Sequence, residues 1–322
     1  MAVLRPASEA ELAEMVTAAA SDRHTLEIVG AGSKRALGRP VEADDCLDLS
    51  HLSGIIAYDA EELVVTARPA TTLAELAAEL ADHRQCLGFD PADWGALFGQ
   101  LPRTGTIGGA LAADQSGTRR VLSGAARDHL LGIRAVNGWG KVYKAGGKVV
   151  KNVTGFDISK LMCGSFGILG PMSEVTLRLL PRQPLSVCLV VRDIEPERGL
   201  RLLRRIWREA IEASGLLYLP NGMLDRFDIA GGSDAGIALV RLDGSAEALI
   251  DKRLRLQSLL ENMREADLEY GDRVFEAAAN GSVFTAAPLD VWRMAVPPAA
   301  STDVASALAG TIWYADWAGS LF

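Results

Sequence analysis

Apolar side chains recur at helical spacing in two stretches of the first half of the chain. In each stretch four of them fall on one side of a helix, which predicts a helix over residues 8–20 and a second one beginning at Thr72. These apolar residues are Leu12, Met15, Val16 and Ala19 in the first stretch and Leu73, Leu76, Ala77 and Leu80 in the second. Ser8 precedes Glu11 and Thr72 precedes Glu75 by three residues, the spacing of a capping box at a helix start.

Short runs rich in β-branched and other apolar residues surround these helices and predict strands. In the first half of the chain they are TLEIVG (25–30), CLDLS (46–50), ELVVTARPA (62–70), LLGIRAVN (130–137), KVYKAGG (141–147) and EVTLRLLP (174–181). The stretch RLLPRQP, 178–184, contains two prolines and predicts a domain boundary, because proline breaks regular backbone pairing.

Beyond this boundary, strands and helices alternate and predict a second α+β layer. The predicted strands are SVCLVV (186–191), LLYLP (216–220), GIALVRL (236–242), VWRMAV (291–296) and TIWYADW (311–317), and the predicted helices cover 197–214 and 245–265. In the first helix Trp207 shares the apolar side with Leu200 and Leu203, so we expect it in the core, and Gly215 is expected to cap the helix. The later tryptophans are also expected in the core: Trp292, Trp313 and Trp317.

The composition narrows the class of protein. With 322 residues the chain has room for two domains, and 49% hydrophobic and 23% charged residues are ordinary for a globular protein. A net charge of −8 argues against a nucleic-acid-binding protein, and no apolar run is long enough for a membrane span. The four cysteines form no CxxC pair, which favours reduced thiols in the cytoplasm over a metal site or a disulfide framework.

Glycine is concentrated in four stretches of the first half. They are VGAGSKRALG (29–38), RTGTIGGALAADQSG (103–117), KVYKAGGKVV (141–150) and CGSFGILG (163–170). Such stretches pack poorly as core, but glycine lets a ligand approach the backbone and leaves N–H groups free to bind phosphate oxygens. Each stretch taken singly could equally be an ordinary turn. Four of them within 140 residues favour a cofactor site.

The common nucleotide and nucleophile fingerprints do not match these stretches. A GxGxxG motif beginning at Gly30 would need glycine at Arg35. Gly147 and Lys148 are followed by Val149 and lack the leading glycine of a P-loop, and Cys163 stands where a GxSxG elbow needs glycine. A Rossmann site, a P-loop and a hydrolase elbow are therefore not supported.

Three of the motifs together carry a resemblance to a known family. GAGSKRALG after a strand, then TIGGALA, then KNVTGFDISKLMCGSFGILG (151–170) with EVTLRLLP behind it, resemble the PCMH-type FAD-binding domain of the vanillyl-alcohol oxidase superfamily. The stretch 151–170 is the most specific of these motifs. More narrowly, the chain resembles the FAD-binding subunits of bacterial glycolate oxidases. The resemblance is strong over 1–182 and weaker beyond.

The resemblance implies a set of FAD contacts in this sequence. The loop around the pyrophosphate corresponds to Gly30, Ala31, Gly32, Ser33, Lys34 and Arg35, and the segment along the flavin ring and ribityl chain to Pro102, Thr104, Gly105, Thr106, Ile107, Gly108 and Gly109. Two further contacts correspond to Ser116 with Gly117 and Ser123 with Gly124, and the last turn to Gly164, Ser165, Gly167 and Met172. On this basis the small residues at 103–120 leave room for the cofactor and offer it backbone N–H groups.

Departures from the family pattern modify these expectations. The first loop has no histidine, the residue that attaches FAD covalently in several relatives, so we expect non-covalent FAD. Catalytic relatives carry histidines late in the chain, as base and metal ligands, but none follows His129 here. Histidine is the commonest base near neutral pH, so no catalytic residue and no metal ligand is assigned. A structural role for His129 is favoured over one near the cofactor.

The expected fold is α+β: a PCMH-type FAD-binding domain of two α+β subdomains over 1–182, then a ferredoxin-like cap over 183–322 that lacks the family's usual C-terminal return segment.

By resemblance, the expected function is that of the FAD-binding subunit of a glycolate oxidase, with a catalytic flavin subunit and an iron–sulfur subunit as partners and a 2-hydroxy acid as substrate. We expect a cytoplasmic location, or one at the inner membrane through these partners. Two alternatives stay open: a non-catalytic assembly or electron-relay subunit, and a stand-alone FAD-dependent 2-hydroxy-acid dehydrogenase.

Overall fold

The computed structural model describes residues 1–101, 104–147, 156–209, 211–230, 235–260, 265–285 and 289–322. These residues form two compact units. The first comprises 1–116 and 124–182, and the second comprises 117–123 and 183–322. Within the described ranges, the structure has no helix with the length and apolar character needed to cross a membrane.

The first unit contains two sheets and short helices. Its strands are β1 (Val3–Leu4), β2 (Leu26–Val29), β3 (Asp45–Asp48), β4 (Ile55–Asp59), β5 (Val64–Ala67), β6 (Gln85–Leu87), β7 (Leu130–Val136), β8 (Val142–Gly146) and β9 (Met172–Pro181). Its helices are α1 (Glu9–Asp22), α2 (Leu73–Asp82), α3 (Ile107–Ala112), α5 (Ala126–His129) and α6 (Ile158–Met162), while α4 (Arg120–Ser123) lies in the second unit. Strands β1, β3 and β2 pair in parallel, and β4, β5, β9, β7 and β8 form an antiparallel sheet in that order, with β6 also on β9.

The main core of this unit lies between the antiparallel sheet and its helices. Along β9 the side chains alternate, so that Val175, Leu177 and Leu179 are buried on one face. Leu76 and Leu80 of α2 belong to the same cluster of buried side chains. The capping box predicted at the start of α2 is present, with Thr72 and Glu75 bonded reciprocally.

One segment of this core was not expected. Residues 107–112 lie in the glycine-rich stretch predicted to pack poorly, yet they form α3, and Ile107, Ala110 and Leu111 are fully buried. The prediction was wrong because small residues let a helix approach its neighbours closely. Their packing therefore contributes to the core rather than leaving a flexible loop.

The second unit is built on a four-stranded antiparallel sheet. Its elements are β10 (Leu185–Ile194), α7 (Pro196–Arg208), β11 (Gly215–Leu219), β12 (Gly236–Gly244), α8 (Ala246–Leu259), β13 (Glu265–Asp267), α9 (Gly271–Asn280) and α10 (Ser301–Ala307). The strand order β11-β12-β10-β13 with the βαββαβ connection is the ferredoxin-like arrangement. Both faces of the sheet are covered, so every residue of β12 is buried.

Several predictions for this unit were wrong. Helix α7 ends at Arg208 rather than at 214, and Gly215 opens β11 instead of capping the helix, because β11 pairs with β12 from Gly215 onward. Trp207 is half-exposed, and its Nε1 donates to the carbonyl of Val121 at 3.3 Å. Tertiary pairing here overrides the helical period of the sequence.

The two late strands predicted at 291–296 and 311–317 are also not formed. In the described chain these stretches make only isolated bridges, through Ala295, Ala315 and Asp316. The backbone at Trp317 has a φ of 51°, in the left-handed region, so the chain turns there instead of extending. Trp317 is buried as expected, and so is Trp313. Trp292 is 80% exposed, and its predicted place in the core was wrong.

Candidate functional site

The first glycine-rich loop follows β2 and lies at the carboxyl ends of the parallel strands. Gly32 has a φ of 71°, a conformation that glycine adopts without strain. Within the described chain, no acceptor receives a hydrogen bond from the N–H groups of residues 30 to 34. Gly30 and Gly32 line a cavity of about 320 Å³. A run of unpaired N–H groups facing a cavity is suited to a phosphate group.

The cations in and near the first loop differ in how they are held. Nε of Arg35 donates to Glu27 at 2.8 Å, and Nε of Arg5 donates to Asp48 at 2.8 Å. Lys34 has no ion pair with any residue that the structure describes. Burial lowers the pKa of Lys34, and the charge of Asp93 opposes that shift only in part. The half-buried ammonium of Lys34 therefore forms no direct ion pair in the described chain, and the charge of Asp93 stabilises it only in part.

The second glycine-rich stretch approaches this loop closely. A Cβ added at Gly30 would lie 2.9 Å from Oγ1 of Thr106, so the loop can reach Thr106 only because residue 30 has no side chain. A Cβ added at Gly109 would lie 3.8 Å from Nζ of Lys34, and one at Gly105 would lie 4.0 Å from it. The structure thus brings Lys34 against the glycines of the second stretch.

The backbone of α3 does not offer the N–H groups that the sequence suggested. Ile107 donates to the carbonyl of Thr71 at 2.9 Å and Gly108 to that of Pro69 at 2.8 Å. The N–H of Gly109 donates to Oγ1 of Thr106, which caps the helix. The expectation that these three groups bind the cofactor is corrected, because they satisfy the helix start and its packing.

Gly108 has a steric role that can be tested. A Cβ there would lie 2.6 Å from Cβ of Pro69 and 2.8 Å from its carbonyl oxygen. Alanine gains about 1 kcal/mol in helix propensity over glycine, but an overlap with backbone cannot be relieved by a rotamer change. We expect Gly108→Ala to lower the free energy of unfolding by about 1–3 kcal/mol in a urea titration. Gly138→Ala is the matched control, since no atom lies within 4 Å of an added Cβ there. Equal stability of the two variants would contradict this role of Gly108.

The turn at 163–167 rests against α3 and β2. Gly164 donates to the carbonyl of Leu111 and Phe166 to that of Ala112, both at 2.9 Å. Gly167 has a φ of 79°, and a Cβ there would lie 3.3 Å from Cδ1 of Ile28, in the strand that leads to the first loop. This turn therefore joins the same neighbourhood as the first two stretches.

The side chains near that turn are held by protein partners. The carboxylate of Asp114 accepts hydrogen bonds from Arg127 and from Sγ of Cys163, the latter at 3.3 Å. Burial raises the pKa of Cys163 strongly, and the Asp114 charge adds to the shift, so the thiol stays protonated. Met172 is buried in the hydrophobic core of the first unit. Ser165 donates its N–H to the carbonyl of Met162 at 3.3 Å.

The remaining predicted contacts are distributed between the two units. Oγ of Ser116 accepts from the N–H of Ala126 at 3.0 Å, and Gly124 has a φ of 88°. Gly117 and Ser123 belong to the second unit, where the carbonyl of Gly117 accepts from Nε1 of Trp317 at 3.0 Å. Pro102 and part of the motif 151–170 lie outside the described residues.

One polar side chain in this region was missed by the sequence reasoning. Gln115 is fully buried, and within the described chain neither its Oε1 nor its Nε2 has a hydrogen-bond partner. Buried amides are almost always satisfied, so a ligand or water is expected to complete this one. The only sequence signal for it is weak: a glutamine in the turn-like run DQSG. His129, also between these stretches, is fully buried, and its ring centroid lies 5.8 Å from that of Phe89.

The fold has known counterparts. Residues 1–146 match the protein family described as FAD binding domain. A solved structure of alkyldihydroxyacetonephosphate synthase superposes with a TM-score of 0.73 at 15% identity, covering 94% of this chain and 59% of that protein. Together these matches define the class: residues 1–146 are a FAD binding domain, whose cofactor is FAD, and the chain shares its fold with the synthase.

Sequence relatives narrow the class further. The chain is 38% identical to glycolate oxidase subunit GlcE of Escherichia coli (strain K12) over 222 residues, which covers 69% of this chain and 61% of GlcE. It is 27% identical to glycolate oxidase subunit GlcD of Bacillus subtilis (strain 168) over 182 residues, covering 56% of this chain and 37% of GlcD. It matches less than two thirds of the length of either relative.

The residues present fit FAD. The unpaired N–H groups of the first loop and the ammonium of Lys34 are the groups that a pyrophosphate needs. The orphaned amide of Gln115 matches a polar cofactor edge. The glycines at 30, 105 and 109 keep the space around Lys34 free of side chains.

Proposed function

We propose that this chain is the FAD-binding subunit of a complex that oxidises glycolate to glyoxylate. The observation that carries the proposal is its similarity to GlcE, 38% over 222 residues, combined with the N–H groups of residues 30 to 34, which are unpaired in the described chain. In the proposed site the loop Gly30–Arg35 holds the pyrophosphate, and Lys34 supplies the positive charge. Bound FAD supplies hydride- and electron-accepting chemistry.

The proposed attachment of FAD is non-covalent. The first loop, Gly30–Gly38, contains no histidine that could bond to the flavin. We expect acid precipitation of the purified chain to release FAD into the supernatant, measured by its absorption spectrum. Flavin retained in the protein pellet would contradict non-covalent binding.

The proposed partners are a catalytic flavin subunit and an iron–sulfur subunit. The similarity to both GlcE and GlcD supports a multi-subunit assembly, because each of those proteins is a subunit of a glycolate oxidase. The second unit contains no histidine, the commonest general base near neutral pH. In this proposal substrate is oxidised chiefly in the partner, and the flavin of this chain relays electrons.

Anaerobic flavin reduction tests this function. The chain alone, loaded with FAD, is expected to keep its flavin oxidised when glycolate is added. Co-expressed with the glycolate oxidase subunits of the same organism, it is expected to form a complex whose flavin is bleached by glycolate. Bleaching of the isolated chain would instead show a stand-alone dehydrogenase. A folded chain that joins the complex without flavin would show an assembly subunit, and failure to join the complex would overturn the proposal.

A further inference from the structure

The second unit contains an open cavity that the proposed function does not use. It has a volume of about 460 Å³ and lies against one side of α9. Four of its lining residues, Tyr270, Arg273, Val274 and Ala277, follow the i, i+3, i+4, i+7 spacing of a single helix face. Short turns at 225–228 and 282–284 line the rest. This volume is within the range of small-molecule sites.

Two guanidinium groups line this cavity. Nη1 of Arg226 donates to the carbonyl of Val283 at 3.0 Å, which fixes the group while using one of its five donors. Neither Arg226 nor Arg273 forms an ion pair with a residue that the structure describes. Asp228 is the one carboxylate among the described lining residues, so the charged side chains there sum to one net positive charge. One further anionic group would make the lining neutral.

The other lining groups indicate what kind of anion would bind. Tyr270 and Ser282 contribute hydroxyl groups, and Arg273 lies in the first turn of α9, where the helix dipole favours negative charge. Phe227, Val274 and Val283 are buried side chains that form an apolar wall. A fully hydrated inorganic anion gains nothing from such a wall, whereas the carbon chain of an organic acid does.

We propose that this cavity binds a small organic monocarboxylate. The carboxylate is held by Arg226 and Arg273, which can each bind it through two donors, and the carbon chain packs on the apolar wall. This site lies wholly within the second unit. The inference does not depend on FAD or on glycolate oxidation.

Calorimetric titration of the full chain tests the site with pentanoate, its neutral isostere pentanamide, and inorganic phosphate. Pentanoate is expected to bind, with pentanamide and phosphate each at least about tenfold weaker. Arg273→Gln, at an exposed position, is expected to weaken pentanoate binding at least about tenfold, since a charged hydrogen bond is lost. Arg226→Gln is expected to do the same, and its unfolding curve reports separately whether the contact with Val283 was needed for folding.

Arg201→Gln is the matched control, because Arg201 is an exposed arginine of the same unit, bonded to Glu197 at 2.7 Å on α7. It is expected to bind pentanoate like the unmodified chain. The proposal would be overturned by no pentanoate binding, by pentanamide or phosphate binding as tightly, or by an Arg273→Gln chain that binds pentanoate unchanged. Each of these results leaves the glycolate proposal unaffected, because flavin is not part of the measurement.

Discussion

Replacing Arg241 with methionine is expected to lower the free energy of unfolding of the second unit by about 3–5 kcal/mol. Arg241 lies on β12 and is 2% exposed. Its Nη2 donates to Oγ1 of Thr118 at 2.8 Å and to the carbonyl of Ser214 at 3.0 Å. Its guanidinium also lies 4.5 Å from the ring centroid of Phe275. Methionine fills much of the volume but leaves these buried acceptors without a donor.

The buried carboxylate of Asp243 increases the unfolding free energy that the Arg241→Met variant is expected to lose. Burial raises the pKa of Asp243, but the charges of Arg119 and Arg241 and hydrogen bonds with serine hydroxyls together lower it by more, so the pKa lies below its usual value. Nε of Arg119 donates to its carboxylate at 3.1 Å. Without Arg241 the buried carboxylate keeps only one of its two cations. Removing one partner of a buried charge network costs far more than losing a surface pair.

Urea unfolding followed by tryptophan fluorescence measures this effect, because Trp313 and Trp317 are buried in the same unit. Arg201→Met is the control, and its exposed pair with Glu197 is worth at most about 1 kcal/mol. The stabilisation from a carboxyl group with a lowered pKa is present above its unfolded value of about 3.9 and is lost as the pH falls through its folded value. The gap between the Arg241→Met chain and the unmodified chain should therefore narrow below about pH 4. A loss no larger than that of Arg201→Met would refute the role of this network.

Helices could be predicted from the sequence where the spacing of apolar residues alone determined them. The first two helices carry apolar residues at helical spacing, and α1 and α2 begin within a residue of where that spacing placed them. At α7 the same spacing predicted a helix that continues to residue 214. The helix ends at Arg208 instead, and the chain then enters β11, which pairs with β12. Trp207 lies in the last turn of α7 and is half-exposed, although Leu200 and Leu203 on the same predicted apolar side are fully buried.

In the candidate site, too, the local sequence does not predict which individual N–H or amide groups find hydrogen-bond partners. The loop at 30–35 could be placed by its glycines and its preceding strand, and in the described chain the N–H groups of residues 30 to 34 are unpaired. The N–H groups of Ile107 and Gly108 looked equivalent in sequence, but Thr71 and Pro69 accept from them. Gln115 carried only a weak signal, because whether a buried amide has hydrogen-bond partners depends on neighbours distant in the chain. Glycine content predicts where a cofactor can approach, and tertiary contacts decide which atoms it meets.

Replacing Lys34 with methionine is expected to weaken FAD binding by about tenfold to a hundredfold, the loss of one charged contact with an anion. This expectation rests on the proposed placement of the pyrophosphate at the first loop. Nζ of Lys34 lies beside Gly105 and Gly109 and forms no direct ion pair in the described chain, so a bound phosphate would supply one. Lys144→Met, at an exposed position on β8, is the control and is expected to leave the dissociation constant unchanged. Fluorescence quenching of added FAD measures that constant.

The pH dependence of the same titration separates a charged contact from a packing effect. Burial lowers the pKa of Lys34 from its usual value of about 10.4, and an anion binds the protonated form better. FAD affinity of the unmodified chain should therefore fall as the pH rises through this lowered pKa, while that of Lys34→Met stays flat. Lys34→Arg keeps its charge over the whole range, so it should recover part of the affinity and lose the pH dependence. If Lys34→Met instead followed the pH curve of the unmodified chain, another group would be titrating, and Lys34 would not be the cation that holds the pyrophosphate.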